Sequence, residues 1–127
     1  EFDVSMFVVN LAAPHYCLVF LSIPEVTPQT ISVRLADFNR RSYGQDSLRV
    51  SGELWETGLY LVYIQTHKTV SIARGYLDDL RNSRYVFGQV PKEFYQAMII
   101  SSENFQTLMN LRNLEVYKYF YEINYNP

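Results

Sequence analysis

Two histidines, one cysteine, a Ser-Ser-Glu step and an Asp-Asp pair are the side chains here whose types could do chemistry, and spacing decides what each could do. His15 and His67 lie far apart, and neither has a second ligand-type residue at a spacing that metal coordination would recognise. They read as polar surface or strand-edge histidines. Ser101-Ser102-Glu103 sets a hydroxyl beside a carboxylate, but nucleophilic catalysis also needs a base held by a third group. The same step reads better as a helix start, a serine accepting from the first free amides and Glu103 matching the dipole. Asp78 and Asp79 occupy adjacent helical positions, which point about 100° apart, so they do not converge on one substrate. Glycines 44, 52, 58, 75 and 88 are too scattered for a phosphate loop. Cys17 is the only cysteine, which rules out an internal disulfide, and its apolar neighbours predict an inert core thiol. The chain is therefore expected to be no enzyme and to need no metal or cofactor.

Arginines and tyrosines remain as candidates for binding. Arg34, Arg40, Arg41 and Arg49 gather around the first helix and the strand after it, which suits either an anion-binding rim for a peptide or glycan, or plain solubility with a dipole match. Aromatics make up 16% of residues, with eleven Tyr and eight Phe against one Trp, and tyrosine suits half-buried faces and interfaces. The candidate binding surface is Tyr60, Tyr63, Arg34, Arg41, Arg49, Tyr117 and Tyr121. A net charge of −2 lacks the basic footprint of a nucleic-acid binder, so no nucleic-acid partner is expected. No run approaches the ~18 to 20 apolar residues of a membrane helix, so no transmembrane segment is expected. The start without Met reads as a piece of a longer protein, with residues 1–13 as an N-terminal extension and 14–127 as a single α+β domain.

The elements that must position these residues follow from hydrophobic period. Residues 15–21 are aromatic and β-branched, a strand buried on both faces. Thr27 and Pro28 open a helix to about Asn39 with Ile31, Leu35 and Phe38 on one face. Leu48, Val50, Gly52 and Leu54 alternate with polar residues, and the apolar run 59–65 follows a turn at Gly58, so these two strands form a hairpin whose second member lies near the sheet centre. Residues 69–82 form a helix with Ile72, Ala73, Tyr76, Leu77 and Leu80 buried, and Gly75 marks close packing. Residues 95–100 form the last strand, and helices at 103–110 and 114–123 follow, the second capped by Asn113. The order β-α-β-β-α-β-α-α is a ferredoxin-like (SPOR-like) βαββαβ sandwich with two extra C-terminal helices. Leu18, Phe20, Tyr60 and Val62 are expected to line the face away from the first two helices, with the aromatic C-terminal helix as its local cover.

Several stretches carry a resemblance: Pro14-His15-Tyr16, Leu35-Ala-Asp-Phe-Asn39, Leu48-Arg-Val-Ser51, Ile99-Ile-Ser-Ser-Glu-Asn-Phe105, Val116-Tyr-Lys-Tyr-Phe120 and Asn124-Tyr125. Together they resemble the C-terminal domain of the large tetratricopeptide-repeat lipoproteins of Bacteroidetes, the SprE/PorW type involved in type IX secretion and gliding. The resemblance implies a periplasmic domain, tied to the outer membrane through the rest of its parent, that docks other secretion-system proteins; it implies no catalytic residues. The element order, with Leu59-Tyr-Leu-Val-Tyr-Ile-Gln65 and a helix containing Ala73, is also similar to sporulation-related (SPOR) repeat domains. That similarity implies a peptidoglycan partner bound on the sheet face. Gln65-Thr66-His67 stands where that family has a Gly-Pro-Phe pattern, so the likeness is one of topology.

Overall fold

The structure is a computed structural model and describes residues 2–125. Its strands are β1 (His15–Ser22), β2 (Arg49–Glu56), β3 (Leu59–His67) and β4 (Tyr95–Ser101). Its α-helices are α1 (Pro28–Tyr43), α2 (Val70–Arg81), the short α3 (Arg84–Phe87), α4 (Ser102–Leu111) and α5 (Leu114–Tyr125), with 3-10 turns at Gly44–Asp46 and Lys92–Phe94. The four strands are antiparallel in the order β2-β3-β1-β4, which is the ferredoxin-like arrangement, followed by two extra helices. Gly58, at φ +83°, supplies the left-handed turn that joins β2 to β3.

Local signals account for most helix ends. The side chains of Thr69, Ser83 and Ser101 accept from the amides of Ile72, Val86 and Asn104, and Asn113 accepts from Val116. Thr27 occupies the cap position of α1 without a side-chain bond, so the fixed backbone of Pro28 sets that start. At its other end α1 runs past Asn39 to Tyr43, because tertiary contacts hold the last turn. Asn39 is buried and accepts from the Tyr76 hydroxyl at 2.5 Å, while Tyr43 packs edge-on to Tyr76.

Strand register assigns the faces. Cys17, Val19 and Leu21 pair with Ile64, Val62 and Tyr60 and share the face under α1 and α2, where Tyr76, Ala73, Leu77, Leu80, Ile31 and Leu35 complete the core. Leu18 and Phe20 pair with Tyr63 and Leu61 on the other face. Tyr60 and Val62 therefore do not line that other face, contrary to the sequence expectation: period two places them a residue out of step with Leu18 and Phe20 in an antiparallel pair. Ile72 is also outside the core, at 44% exposed, one position before the buried stripe of Ala73, Tyr76, Leu77 and Leu80. Open space surrounds Gly75, so close packing does not explain that glycine.

The second face is closed by a layer of its own. Phe105 of α4 meets Tyr16 and Tyr63 at ring distances of 5.1 and 4.9 Å, and Leu108 is fully buried behind it. Residues preceding β1 add to this layer: Phe7 packs on Tyr117 and Phe120, and the buried Asn104 amide holds Val8 through both its carbonyl and its N–H. α5 shields the edge of β4, where the Tyr117 hydroxyl donates to the Ile99 carbonyl at 2.7 Å. The C-terminal helix is thus part of the cover, as expected, together with α4 and the leading segment.

Candidate functional site

The seven residues expected to form one binding surface are dispersed. Tyr60 lies under Gly52 on the α1 side of the sheet, while Tyr63 packs at a tilt against Phe105 on the opposite side. Arg41 stands over the Tyr85 ring at 5.3 Å and reaches Asp37 at 3.5 Å; Arg34 is half-buried on the same helix. Asp37 also binds Arg40 and accepts from Tyr85 at 2.7 Å, and the Tyr85 hydrogen bond, ahead of the nearby arginines, holds its carboxyl below the usual value. An internal carboxylate thus already occupies this arginine group. Arg49 is exposed at the start of β2, on the far face of the sheet from α1. Tyr117 is fully buried, so it cannot belong to a surface site: its hydroxyl is spent on the β4 edge, and burial pushes that phenol well above its ordinary pKa. Tyr121 lines an open cleft.

That cleft, about 440 Å³, lies along the start of the β4 edge. Tyr95, Gln96, Ala97 and Met98 form its floor, Arg81 and Asn82 at the end of α2 form one wall, Lys118, Tyr121 and Glu122 of α5 form the other, and Lys92 stands at the rim. Three cationic side chains therefore face one carboxylate. Arg81 is fixed by donating Nη2 to the Ala97 carbonyl at 2.7 Å, leaving other guanidinium donors for a ligand. Tyr95 is held flat against Phe87, with ring centroids 4.2 Å apart and planes within 4°. Tyr121 stacks on Tyr125 at 5.1 Å. Lys118 keeps only a loose contact, 3.6 Å, with Glu115 on its own helix. The arrangement can hold an elongated anion: spaced positive charges, amide groups of Asn82 and Gln96, and a rigid aromatic wall.

Sequence reasoning missed this site except for Tyr121. Arg81, Lys92 and Lys118 are isolated charges on three elements, and no spacing links them. Only the edge position of β4 brings them together.

The two histidines are buried, which corrects their reading as surface or strand-edge groups. They face each other across β1 and β3 on the α2 side, where the end of α5 folds back over the start of β1. His15 Nδ1 lies 2.8 Å from the Ala13 carbonyl and Nε2 lies 2.8 Å from the Tyr125 hydroxyl. A carbonyl only accepts, so Nδ1 carries the proton, and the neutral ring takes the Tyr125 proton at Nε2. His67 packs 4.6 Å from the Tyr76 ring beside a cavity of about 260 Å³ lined by Asp46, Thr66 and Lys68. Its Nε2, like Asn39 Nδ2, finds no hydrogen-bond partner among the described residues. Burial drops His67 to about 4, against the opposing pull of Asp46, and burial lowers His15 as well. These are neutral core groups. Cys17, fully buried nearby, has its thiol pushed up to about 12 by burial, in keeping with an inert role.

Among the described residues no group of three or more His, Cys, Asp or Glu side chains could hold a metal ion, and no helix is long and apolar enough to cross a membrane. Fold and cleft together define a ferredoxin-like α+β domain with a cationic, aromatic-walled cleft on one sheet edge. No protein-family model, curated protein or solved structure matches the chain.

Proposed function

We propose that this chain is a non-catalytic docking domain that holds an acidic segment of another protein in the β4-edge cleft. The observation that carries the reading is the convergence of Arg81, Lys92 and Lys118 around a strand edge with the fixed Tyr95 ring. Cations from three separate elements suit carboxylates spaced along an extended chain better than one compact phosphate. The resemblance in strands, first helix and tail extends the reading to a type IX secretion component: the domain would work in the periplasm, associated with the outer membrane through its parent, and dock other assembly proteins.

A peptidoglycan glycan partner is the alternative reading. The sheet face on which such a site would sit is covered by Phe105, Leu108, Tyr117 and Phe120, so a glycan would need another surface. Titration of the domain with a fluorescent hexaglutamate peptide tests docking. Salt-dependent binding that is lost in a Lys92→Glu/Lys118→Glu variant is expected; binding unchanged by that variant, or none at low salt, removes the reading. Co-sedimentation with sacculi stripped of stem peptides, without peptide binding, would favour the glycan.

A further inference from the structure

The sheet has two edges, and they are treated differently. On β4, Arg81 and Tyr117 occupy the Ala97 and Ile99 carbonyls and α5 lies alongside. On β2, among the described residues, no loop or helix backbone bonds to residues 49–56. The strand has no proline or lysine; its guards against edge pairing are the charges of Arg49, Glu53 and Glu56 and the irregularity between Leu54 and Glu56. Its row on the α1 side is Val50, Gly52 and Leu54, and Leu54 is 55% exposed. Beside Val50 a groove of about 350 Å³, lined by Ala36, Tyr43, Leu48 and Val50 among others, opens between α1 and β2.

We infer that β2 is a self-association edge, pairing antiparallel with β2 of a second copy about a two-fold axis at Gly52. In that register Val50 stands opposite the second copy's Leu54, and each exposed leucine is delivered to the groove beside the other's Val50. Knob and hole lie on one strand, equally spaced from the axis, which is the condition for an isologous contact. At the axis Gly52 meets Gly52; the space a Cβ would fill is taken by the same chain's Tyr60 ring, 2.8 Å away, so no side chain of residue 52 stands between the two strands on that face. On the opposite face Arg49 lies diagonal to the second copy's Glu53, within reach of long side chains. Glu53 already has Arg112 at 2.9 Å, so the pairing would set each carboxylate between two cations. These complementarities are internal to β2 and favour a second copy over an unrelated strand. The contact is small, so association is reversible and concentration-dependent. It shares no residue with the β4-edge cleft.

Sedimentation velocity from low micromolar to submillimolar concentration tests this. The expected result is a monomer shifting to a dimer, with the dissociation constant raised about tenfold or more by Leu54→Lys, which buries two ammonium groups against valine. Leu54 is exposed in the single chain, and unchanged circular dichroism would show that the variant folds. Independently, Val50→Cys mixed with Leu54→Cys should yield a disulfide-linked pair under mild oxidation, while Val50→Cys alone stays reduced. A monomer throughout the range overturns the inference. So does a dimer indifferent to Leu54→Lys that forms no 50–54 cross-link.

Discussion

Acid should destabilise this domain through its buried histidines. In the unfolded chain His67 takes a proton near its ordinary value of 6.5, whereas in the folded chain burial holds it off until about 4. The unfolded state thus binds more protons across that window, so the stabilisation is complete above about pH 6.5 and is lost as pH falls through about 4. At about 1.4 kcal/mol per pH unit, the drop from 6.5 to about 4 is worth about 3 kcal/mol as an upper bound. His15 is shifted the same way by burial and adds to the loss. Asp37, the carboxylate lowered by Tyr85 and its arginines, titrates below this window. The assay is urea unfolding read by Trp55, the single tryptophan, whose ring is buried edge-on to Phe20 at 5.3 Å. His67→Phe keeps the packing on Tyr76 and removes the proton site. The wild type should lose a few kcal/mol between about pH 7 and about pH 4, and the variant markedly less. A loss under about 1 kcal/mol in the wild type, or an equal loss in both, would refute the reasoning.

Three further outcomes are expected. Gly75→Ala should raise stability by about 1 kcal/mol, since a helical glycine is replaced where nothing lies within contact distance; unfolding curves that coincide would refute it. Tyr117→Phe should cost about 1 to 2 kcal/mol by leaving the Ile99 carbonyl without its 2.7 Å donor, and should speed amide exchange at the β4 edge. Cys17, fully buried with its thiol at about 12, should react with a thiol reagent at mildly alkaline pH only at the rate of global unfolding; fast labelling of the native protein would contradict its placement.

Much of the fold was legible along the chain. Residues 59–65 form a continuous apolar run because β3 lies inside the sheet, and residues 48–54 alternate because β2 is an edge, so hydrophobic period revealed sheet position as well as strand identity. Serine and asparagine caps marked α4 and α5, since a cap is satisfied within the same turn, whereas Thr27 at α1 makes no such bond. Where signals stopped being local, the reading failed. Tyr60 and Val62 look equivalent to Leu18 and Phe20 by composition, and only register separates the two faces. His15 and His67 look like surface groups until the end of α5 closes over one and α2 over the other.

The sequence by itself determined the α+β class, the buried cysteine and the element order apart from the short α3, because these depend on contacts within a turn or on a period along one strand. Tertiary structure decided everything that two distant segments must share. It took Tyr117 from the candidate surface by spending its hydroxyl on β4, and assembled a cationic cleft from Arg81, Lys92 and Lys118. Charges on separate elements carry no mark in sequence of where they will meet, since their convergence is fixed by strand order and helix packing rather than by spacing.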